Sequence, residues 1–582
     1  MVEETKKAKL EIVKENSRFL RGTITEELAG DTPNVSSDNA SLLKFHGTYQ
    51  QDDRDARKHR AAGAGKAGRS YSFMVRTKVP GGKLTADQFL TQLSLGERLG
   101  NGTLRITTRQ GFQLHGIVKS NLWQAIHEIN GALLTTLAAC GDVERNVMCC
   151  PAPHHNDGVH DRLQATADAI ARHLAPQTRA YFEIWVDKEK IAEQSAGLDV
   201  EPIYGNTYLP RKFKTGIALP EDNCIDVYTQ DLGLLAVVEA GQLIGYNLLV
   251  GGGLGTTPSD QDTFPRLGDR MAFVPYDDVL SVATAVVMVQ RDFGNRAERS
   301  RARMKYLIHD WGLPRFKAKV EEYLGGHPLA DPHPTEIHGY DDHLGWHAQG
   351  DGRFYWGINV ENGRIKDEGD LRLKTGLRTI FERFQMLARL TSQQSILLCN
   401  LEPEWKDEIL ALLREHGIKT HEEISNARRF AMACPALPTC GLAITESERV
   451  MPSVVDQLEV ELAKLGLDAE KFTIRMTGCP NGCARPYTSD IGLVGKAVGK
   501  YTIFVGGRLL GNRLNVIYKN MVPLQEIVQE LVPLFVYFKA DCQPGESFGD
   551  FCHRQGVEEL LRFDAEYKSV NEPATAHAYD ED

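Results

Sequence analysis

Short runs of alternating apolar and polar residues recur along this 582-residue chain, separated by longer stretches with a helical apolar repeat. Alternation over residues 72–79, 104–107, 112–114, 181–186 and 246–250 predicts strands, because successive side chains of a strand face opposite ways. Apolar positions three and four apart predict helices over 86–99, 161–174, 279–291 and 455–465. Short links join the two kinds of segment, which fits layered α/β or α+β architecture. The most apolar runs, 279–289 and 531–538, fall short of the ~18–20 residues that span a bilayer, so no membrane association is expected. The charged start, Met1-Val-Glu-Glu-Thr-Lys-Lys7, leads into no apolar core and predicts no secretory signal. A cytoplasmic, reducing location follows as an expectation. Residues 1–70 read as an N-terminal extension and 571–582 as a polar tail.

The pattern also repeats. Leu104-Arg-Ile-Thr-Thr-Arg-Gln110 matches Ala388-Arg-Leu-Thr-Ser-Gln-Gln394 at an offset of 284, and the same offset lays Cys150-Pro-Ala152 on Cys434-Pro-Ala436 and Arg145 on Arg429. Further along, Lys214-Thr-Gly216 resembles Met476-Thr-Gly478 at offset 262, and Tyr246–Gly252 resembles Tyr501–Gly507 at offset 255. The chain therefore reads as two copies of one mixed α/β half. The first is rich in cations where the second is rich in cysteines.

Composition narrows the chemistry. A net charge of −11 argues against a general nucleic-acid binder. The second copy carries Cys434-Pro-Ala-Leu-Pro-Thr-Cys440 and, after a gap of 38 residues, Cys479-Pro-Asn-Gly-Cys483. Four thiolates on two Pro/Gly-broken loops can enclose one cubane iron–sulfur cluster. A four-cysteine zinc site would show closer pairs than C-x5-C, and an odd total of 11 cysteines argues against a disulfide framework. Cys140, Cys224, Cys399, Cys542 and Cys552 have no partner pattern and are expected to be buried small hydrophobes.

Two motifs mislead. Gly63-Ala-Gly-Lys-Ala-Gly68 spells a dinucleotide fingerprint, but it follows a charged stretch and precedes a strand, so it reads as a link. His154-His155 reads as surface loop, since adjacent histidines rarely share one ion.

Arg76, Arg105, Arg109, Arg145, Arg211, Lys212 and Lys214 lie in or beside the predicted strands. Solvated surface is the ordinary place for such residues. Gathered in one pocket, they would suit an oxyanion or a polycarboxylate: guanidinium grips carboxylate as a fork, and ammonium acts as point charge and proton donor.

Together Phe45-His-Gly-Thr-Tyr-Gln-Gln-Asp-Asp-Arg54, the 104–116 segment, Tyr208-Leu-Pro-Arg-Lys-Phe-Lys-Thr215 and the cysteine loops resemble the sirohaem-dependent sulfite and nitrite reductases, nearest to the assimilatory sulfite reductase haemoproteins. The resemblance runs from about residue 43 to 562. It implies an α+β fold of internally duplicated halves with pseudo-two-fold symmetry, and a sirohaem and a [4Fe–4S] cluster between domains. Residues 71–165 and 346–425 would be ferredoxin-like half domains. Residues 166–345 would be a sirohaem-binding α/β domain, and 426–570 its cluster- and sirohaem-binding counterpart.

By the same resemblance Cys434, Cys440, Cys479 and Cys483 hold the cluster, and Cys483 also bridges to the sirohaem iron. Arg76, Arg145, Lys212 and Lys214 bind substrate. Arg105, Arg109, Gln113, His115, Arg211, Lys305 and Asn481 lie near the sirohaem. The implied reaction is the six-electron reduction of sulfite to sulfide. Lys214, where nitrite-reducing members tend to have a neutral residue, favours sulfite over nitrite. Electrons are expected from a separate protein: ferredoxin, by the likeness of 102–116 and 138–146, with an NADPH-dependent flavoprotein reductase as the alternative. A non-enzymatic cluster protein and a structural zinc protein are the readings from other classes.

Overall fold

The computed structural model describes residues 7–59, 68–186 and 201–571. Most of the 63–68 glycine motif and of the 571–582 tail lies outside them. Contacts divide the chain into two compact units, Met1–Ile424 with Pro438–Gly441, and Ser425–Leu437 with Leu442–Asp582.

Three five-stranded sheets build the first unit. One uses β1 (Thr48–Asp52), β2 (Tyr71–Thr77), β4 (Leu104–Ile106), β5 (Phe112–Ile117) and β13 (Arg364–Ile365), in the order β1-β2-β5-β4-β13. A second uses β6 (Met148–Cys149), β7 (Thr215–Ala218), β8 (Leu232–Glu239), β9 (Gln242–Val250) and β10 (Asp269–Pro275), in the order β10-β9-β8-β7-β6. The third runs β11 (Gly345–Ala348), β12 (Phe354–Ile358), β17 (Ile396–Leu401), β16 (Leu387–Leu390), β3 (Lys83–Leu84). A hairpin of β14 (Asp367–Glu368) and β15 (Leu371–Arg372) stands apart. In the second unit one sheet runs β18 (Ala431–Ala433), β19 (Ile474–Thr477), β20 (Ile491–Ala497), β21 (Lys500–Val505), β22 (Val516–Pro523).

The duplication is explicit in these orders. The first and third sheets share one topology, and each takes its edge strand from the other's half: β13 pairs with β4, and β3 with β16. Two glycines permit the exchange. Gly82 before β3 has φ +75°, and a Cβ there would stand 2.3 Å from the Leu390 carbonyl. Gly363 before β13 has φ +76°, with its Cβ position 2.2 Å from the Ile106 carbonyl. Only glycine fits such positive φ and close backbone approach. Helices Ala86–Arg98 and Leu373–Phe384, one from each half domain, meet through Phe89 and Phe381, whose ring centroids are 4.3 Å apart.

The second and fourth sheets also correspond: two parallel pairings followed by two antiparallel ones. Their ladders correct the repeat register. Gly216 pairs with Met148, and Arg475 pairs with Met432, so Gly216 corresponds to Arg475 and not to Gly478. The threonine-glycine likeness had slipped by three residues. The Tyr246–Tyr501 match stands, because Ala236 pairs with Tyr246 as Gly495 pairs with Tyr501. The second unit's core is sealed by Phe472, Phe535, Phe538 and Phe548, which pack ring against ring.

Three further expectations change. Residues 181–186 are not a strand: helix Ala180–Trp185 buries Tyr181, Ile184 and Trp185 and exposes Phe182, a three-four spacing that a six-residue window mimics as alternation. The 1–70 segment is not a mere extension. It supplies β1 to the first sheet, and Lys14 is fully buried, donating to the Leu209 carbonyl at 2.8 Å. Cys542 is exposed at a helix end, whereas Cys140, Cys224, Cys399 and Cys552 are buried.

Candidate functional site

Ladder register in the first sheet lines up the cations. Arg76 on β2 stands opposite Gln113 on β5, Gln113 opposite Arg105 on β4, and Arg105 opposite Arg364 on β13. Cross-strand partners share a face, and so does His115, two residues along β5. The other face carries Leu104, Ile106, Phe112 and Leu114, all buried. One side of the sheet is thus core, and the other is a row of guanidinium groups. The Gln113 amide, turned so that its oxygen faces Arg76, accepts from Nε at 3.2 Å.

His115 is 1% exposed, yet neither ring nitrogen has a hydrogen-bond partner. Burial, then Arg364, Arg105 and Arg76, hold its pKa well below the ordinary histidine value. Buried polar atoms without partners call for explanation. A polyanionic group on this face would supply acceptors for the arginines and a partner for His115.

A second set of cations gathers around Tyr49 on β1. Arg76 lies 6.0 Å from the Tyr49 ring centre. Arg145 donates to the Gly141 carbonyl at 3.1 and 3.0 Å through Nε and Nη2. Burial raises the Tyr49 pKa, with Cys140 adding to the rise; Arg145, Arg76 and Arg211 oppose it. Lys212 lies among the same cations. Burial first, then Lys214, Arg303, Arg211 and Arg145, pulls its pKa well below the usual lysine value. Arg211 is lowered to about 10 by burial and by Arg299, although Asp142 lies 3.9 Å away. Asp142 is the buried counter-charge. Against burial, Arg299, Lys14 and Arg211 hold its pKa at about 2. Arg299 contacts it at 2.9 and 3.1 Å.

Two expected residues are committed elsewhere. The Arg109 guanidinium bonds Gln230 Oε1 at 2.8 Å and the carbonyls of Asn146 and Thr215 at 2.5 and 3.1 Å, tying the first half domain to β7 and the Cys150 segment. Lys305 Nζ donates to three carbonyls, of Gly253 at 3.0 Å, Gly255 at 2.9 Å and Phe264. An ammonium has three donors, so Lys305 is a strut for the Gly253–Gly255 loop and does not join the row. Sequence reasoning missed Tyr49, Asp142 and Arg364. Tyr49 sits inside the quoted Phe45–Arg54 motif. Arg364 reaches the face only through the strand exchange.

In the second unit, Cys434 follows β18 and Cys479 follows β19, adjacent parallel strands. Cys434 and Cys479 are buried and Cys483 exposed. The Gly478 N–H points at Cys434 Sγ at 3.4 Å, and Asn481 Nδ2 at Cys479 Sγ, also at 3.4 Å. N–H donors aimed at sulfur are what a thiolate-held cluster takes from its protein. At Gly478 a Cβ would meet the Thr445 carbonyl at 2.5 Å and Ala436 Cβ at 2.6 Å, so the two cysteine loops need glycine to lie this close. Cys440 lies in the Pro438–Gly441 segment of the first unit, where Arg54 donates to its carbonyl at 3.3 Å. Within the second unit, the thiols of Cys434, Cys479 and Cys483 are of the kind that an iron–sulfur cluster takes.

Family comparisons agree with both copies. A profile for the nitrite and sulphite reductase 4Fe-4S domain matches residues 165–328 and again 425–570. A profile for the nitrite/sulfite reductase ferredoxin-like half domain matches 66–132 and 347–416. The chain belongs to the nitrite and sulfite reductase family. It is an oxidoreductase of that family and carries its 4Fe–4S domain. Among curated relatives, the NADPH sulfite reductase hemoprotein beta-component of Staphylococcus saprophyticus is 45% identical over 95% of this chain and 96% of its own. The ferredoxin sulfite reductase of Synechococcus elongatus is 43% identical, covering 97% and 92%. The solved structure of the Mycobacterium tuberculosis NirA protein superposes with TM-score 0.78 at 26% identity, over 95% and 98% of the two chains. Among the described residues, no helix is long and apolar enough to cross a membrane.

Proposed function

We propose that this chain is an assimilatory sulfite reductase haemoprotein, reducing sulfite to sulfide with six electrons. The Lys212 environment carries the reading: a lysine beside Lys214, Arg145, Arg211 and Arg303 offers charge for an oxyanion and a proton that leaves readily. Names of the Staphylococcus and Synechococcus relatives support sulfite as the substrate.

Each part of the chain has a role in this reading. Cys434, Cys440, Cys479 and Cys483 would hold the [4Fe–4S] cluster. Arg105, Arg364, Gln113 and His115 would hold sirohaem, the arginines offering charge for its carboxylates. Sirohaem and the cluster supply the multi-electron redox chemistry when bound. Arg76, Arg145, Lys212 and Lys214 bind sulfite, whose charge costs least to desolvate against fixed cations. Each of the three sulfite oxygens leaves as water, so protons must enter with the electrons. Lys212 delivers them from Nζ, because burial, and then the like charge of Lys214, Arg303, Arg211 and Arg145, pulls its pKa well below the usual lysine value.

The electron donor is a separate protein. Ferredoxin is the donor that the 102–116 and 138–146 segments suggest, and the Synechococcus relative is named for it. The Staphylococcus relative is named for NADPH, which favours a flavoprotein partner as the second reading. Assays with reduced ferredoxin, and with NADPH plus a flavoprotein reductase, decide between them by which supports sulfide release. Purified protein should show haem and cluster absorption together, and Cys483→Ser should lose the coupling and the sulfide. Full sulfide production by Cys483→Ser would overturn the assignment.

A further inference from the structure

The corrected register exposes a correspondence in the cysteines. Gly233 on β8 pairs with Gly216 as Gly492 on β20 pairs with Arg475. Cys224 lies nine residues before Gly233, as Cys483 does before Gly492. Tyr228-Thr229 and Asp231 likewise fall on Tyr487-Thr488 and Asp490. Cys150 follows β6 as Cys434 follows β18. The first copy thus keeps thiols at the places of Cys434 and Cys483.

These two thiols are not isolated. Cys150, Asp222, Cys224 and His343 each offer one donor atom, and all four atoms lie within 4.8 Å of one another. All four residues are buried, 0–5% exposed. His343 Nε2 stands 4.0 Å from Cys150 Sγ and 3.1 Å from Asp222 Oδ2. Oδ2 nevertheless has no hydrogen bond of good geometry, as expected when two donors aim past each other at a shared ion. The opposite oxygen, Oδ1, is pinned by the backbone N–H groups of Cys224 at 3.0 Å and Asp341 at 3.1 Å. The Cys224 carbonyl is held by Ser392 Oγ at 2.6 Å and Gln393 Nε2 at 2.8 Å. Metal ligands are oriented in this way by their own hydrogen bonds.

We propose that Cys150, Cys224, His343 and Asp222 form a structural zinc site in the first copy, distinct in its residues from the four family cysteines. Two thiolates, one imidazole and one carboxylate make a closed tetrahedral donor set for Zn2+. Two thiolates are too few for a cubane cluster. A Cys–His–Asp nucleophile would use similar residues, but a site this buried admits no substrate. The site would tie three segments together: the end of β6, the loop after β7 and the approach to β11. Without a metal, four polar donors would be packed in the core at a cost.

Zinc content of the holoprotein purified from zinc-supplemented medium tests the proposal. About one zinc per chain should survive dialysis, and its X-ray absorption should show about two sulfur ligands near ~2.3 Å with nitrogen and oxygen near ~2.0 Å. Cys224→Ser and His343→Ala should each lower zinc at least tenfold while haem and cluster absorption persist. Should either variant fold poorly, the wild-type absorption spectrum decides alone. Less than a tenth of an equivalent of zinc in wild type, zinc without sulfur ligands, zinc unchanged in both variants, or a Cys150–Cys224 disulfide would each overturn the site.

Discussion

Lys212 and Lys214 stand side by side, yet different roles follow for them. Lys212 is the proton donor that burial and four neighbouring cations prepare. Activity that depends on its ammonium is lost as pH rises through its lowered pKa. The alkaline fall in kcat should therefore come at lower pH than an ordinary lysine gives. Lys212→Met should remove that limb and lower kcat on the order of 100-fold; an unchanged pH profile would exclude Lys212 as the donor. Lys214→Asn should cost sulfite about tenfold in kcat/KM, on the order of 1.4 kcal/mol, and cost nitrite less. Equal losses would remove the charge argument for sulfite. Asp142 anchors Lys14, Arg211 and Arg299. Its folded pKa of about 2 lies below the ordinary 3.8, so its contribution to stability is complete above 3.8 and is lost as pH falls toward 2. Asp142→Asn should destabilise by about 3 kcal/mol at neutral pH, read as a lower urea midpoint, with the gap to wild type narrowing toward pH 3. Arg76 and Arg105 were legible as cations of one strand face, because alternation with apolar residues marks such a face; Arg145, Lys212 and Lys214 lie outside strands and were singled out by the family motif. Arg109 and Lys305 looked the same in sequence. Only their carbonyl partners reveal them as struts.

At the scale of elements, the exchange of β3 and β13 between half domains is what completes the cation row, since Arg364 arrives on the exchanged strand. Gly363→Ala should strain a positive φ and drive a methyl group into the Ile106 carbonyl. A loss of about 2 kcal/mol or more is expected, with a lower Tm and weaker haem retention than in a variant at the open Gly369. Equal Tm values for the two would show that the exchange tolerates a side chain. Some helices of a dozen residues or more were legible from apolar spacing, including 86–99 and 279–291, whereas Leu373–Phe384, Ile527–Asp541 and Val557–Asn571 were not read. The 181–186 segment was not, because six residues cannot separate a period of two from one of 3.6. Register failed for a related reason. A Thr-Gly pair is short enough to match by accident, whereas ladder pairing fixes each residue's partner.

For the whole molecule, duplication was readable from two matches at a single offset, and the sheet orders bear it out. The division of labour between copies was less legible. Cations mark the first copy and a four-cysteine motif the second, but the first copy also retains two of the corresponding thiols. Sequence could not show their convergence with Asp222 and His343, since that depends on a loop far along the chain folding back to β6. The central claim is that fixed cations select a sulfur oxyanion for complete reduction. Its most direct test is a paired assay of holoprotein with reduced methyl viologen, sulfite in one arm and nitrite in the other. The account predicts a higher kcat/KM for sulfite, with sulfide as the product. A higher kcat/KM for nitrite, with ammonia formed, would contradict it.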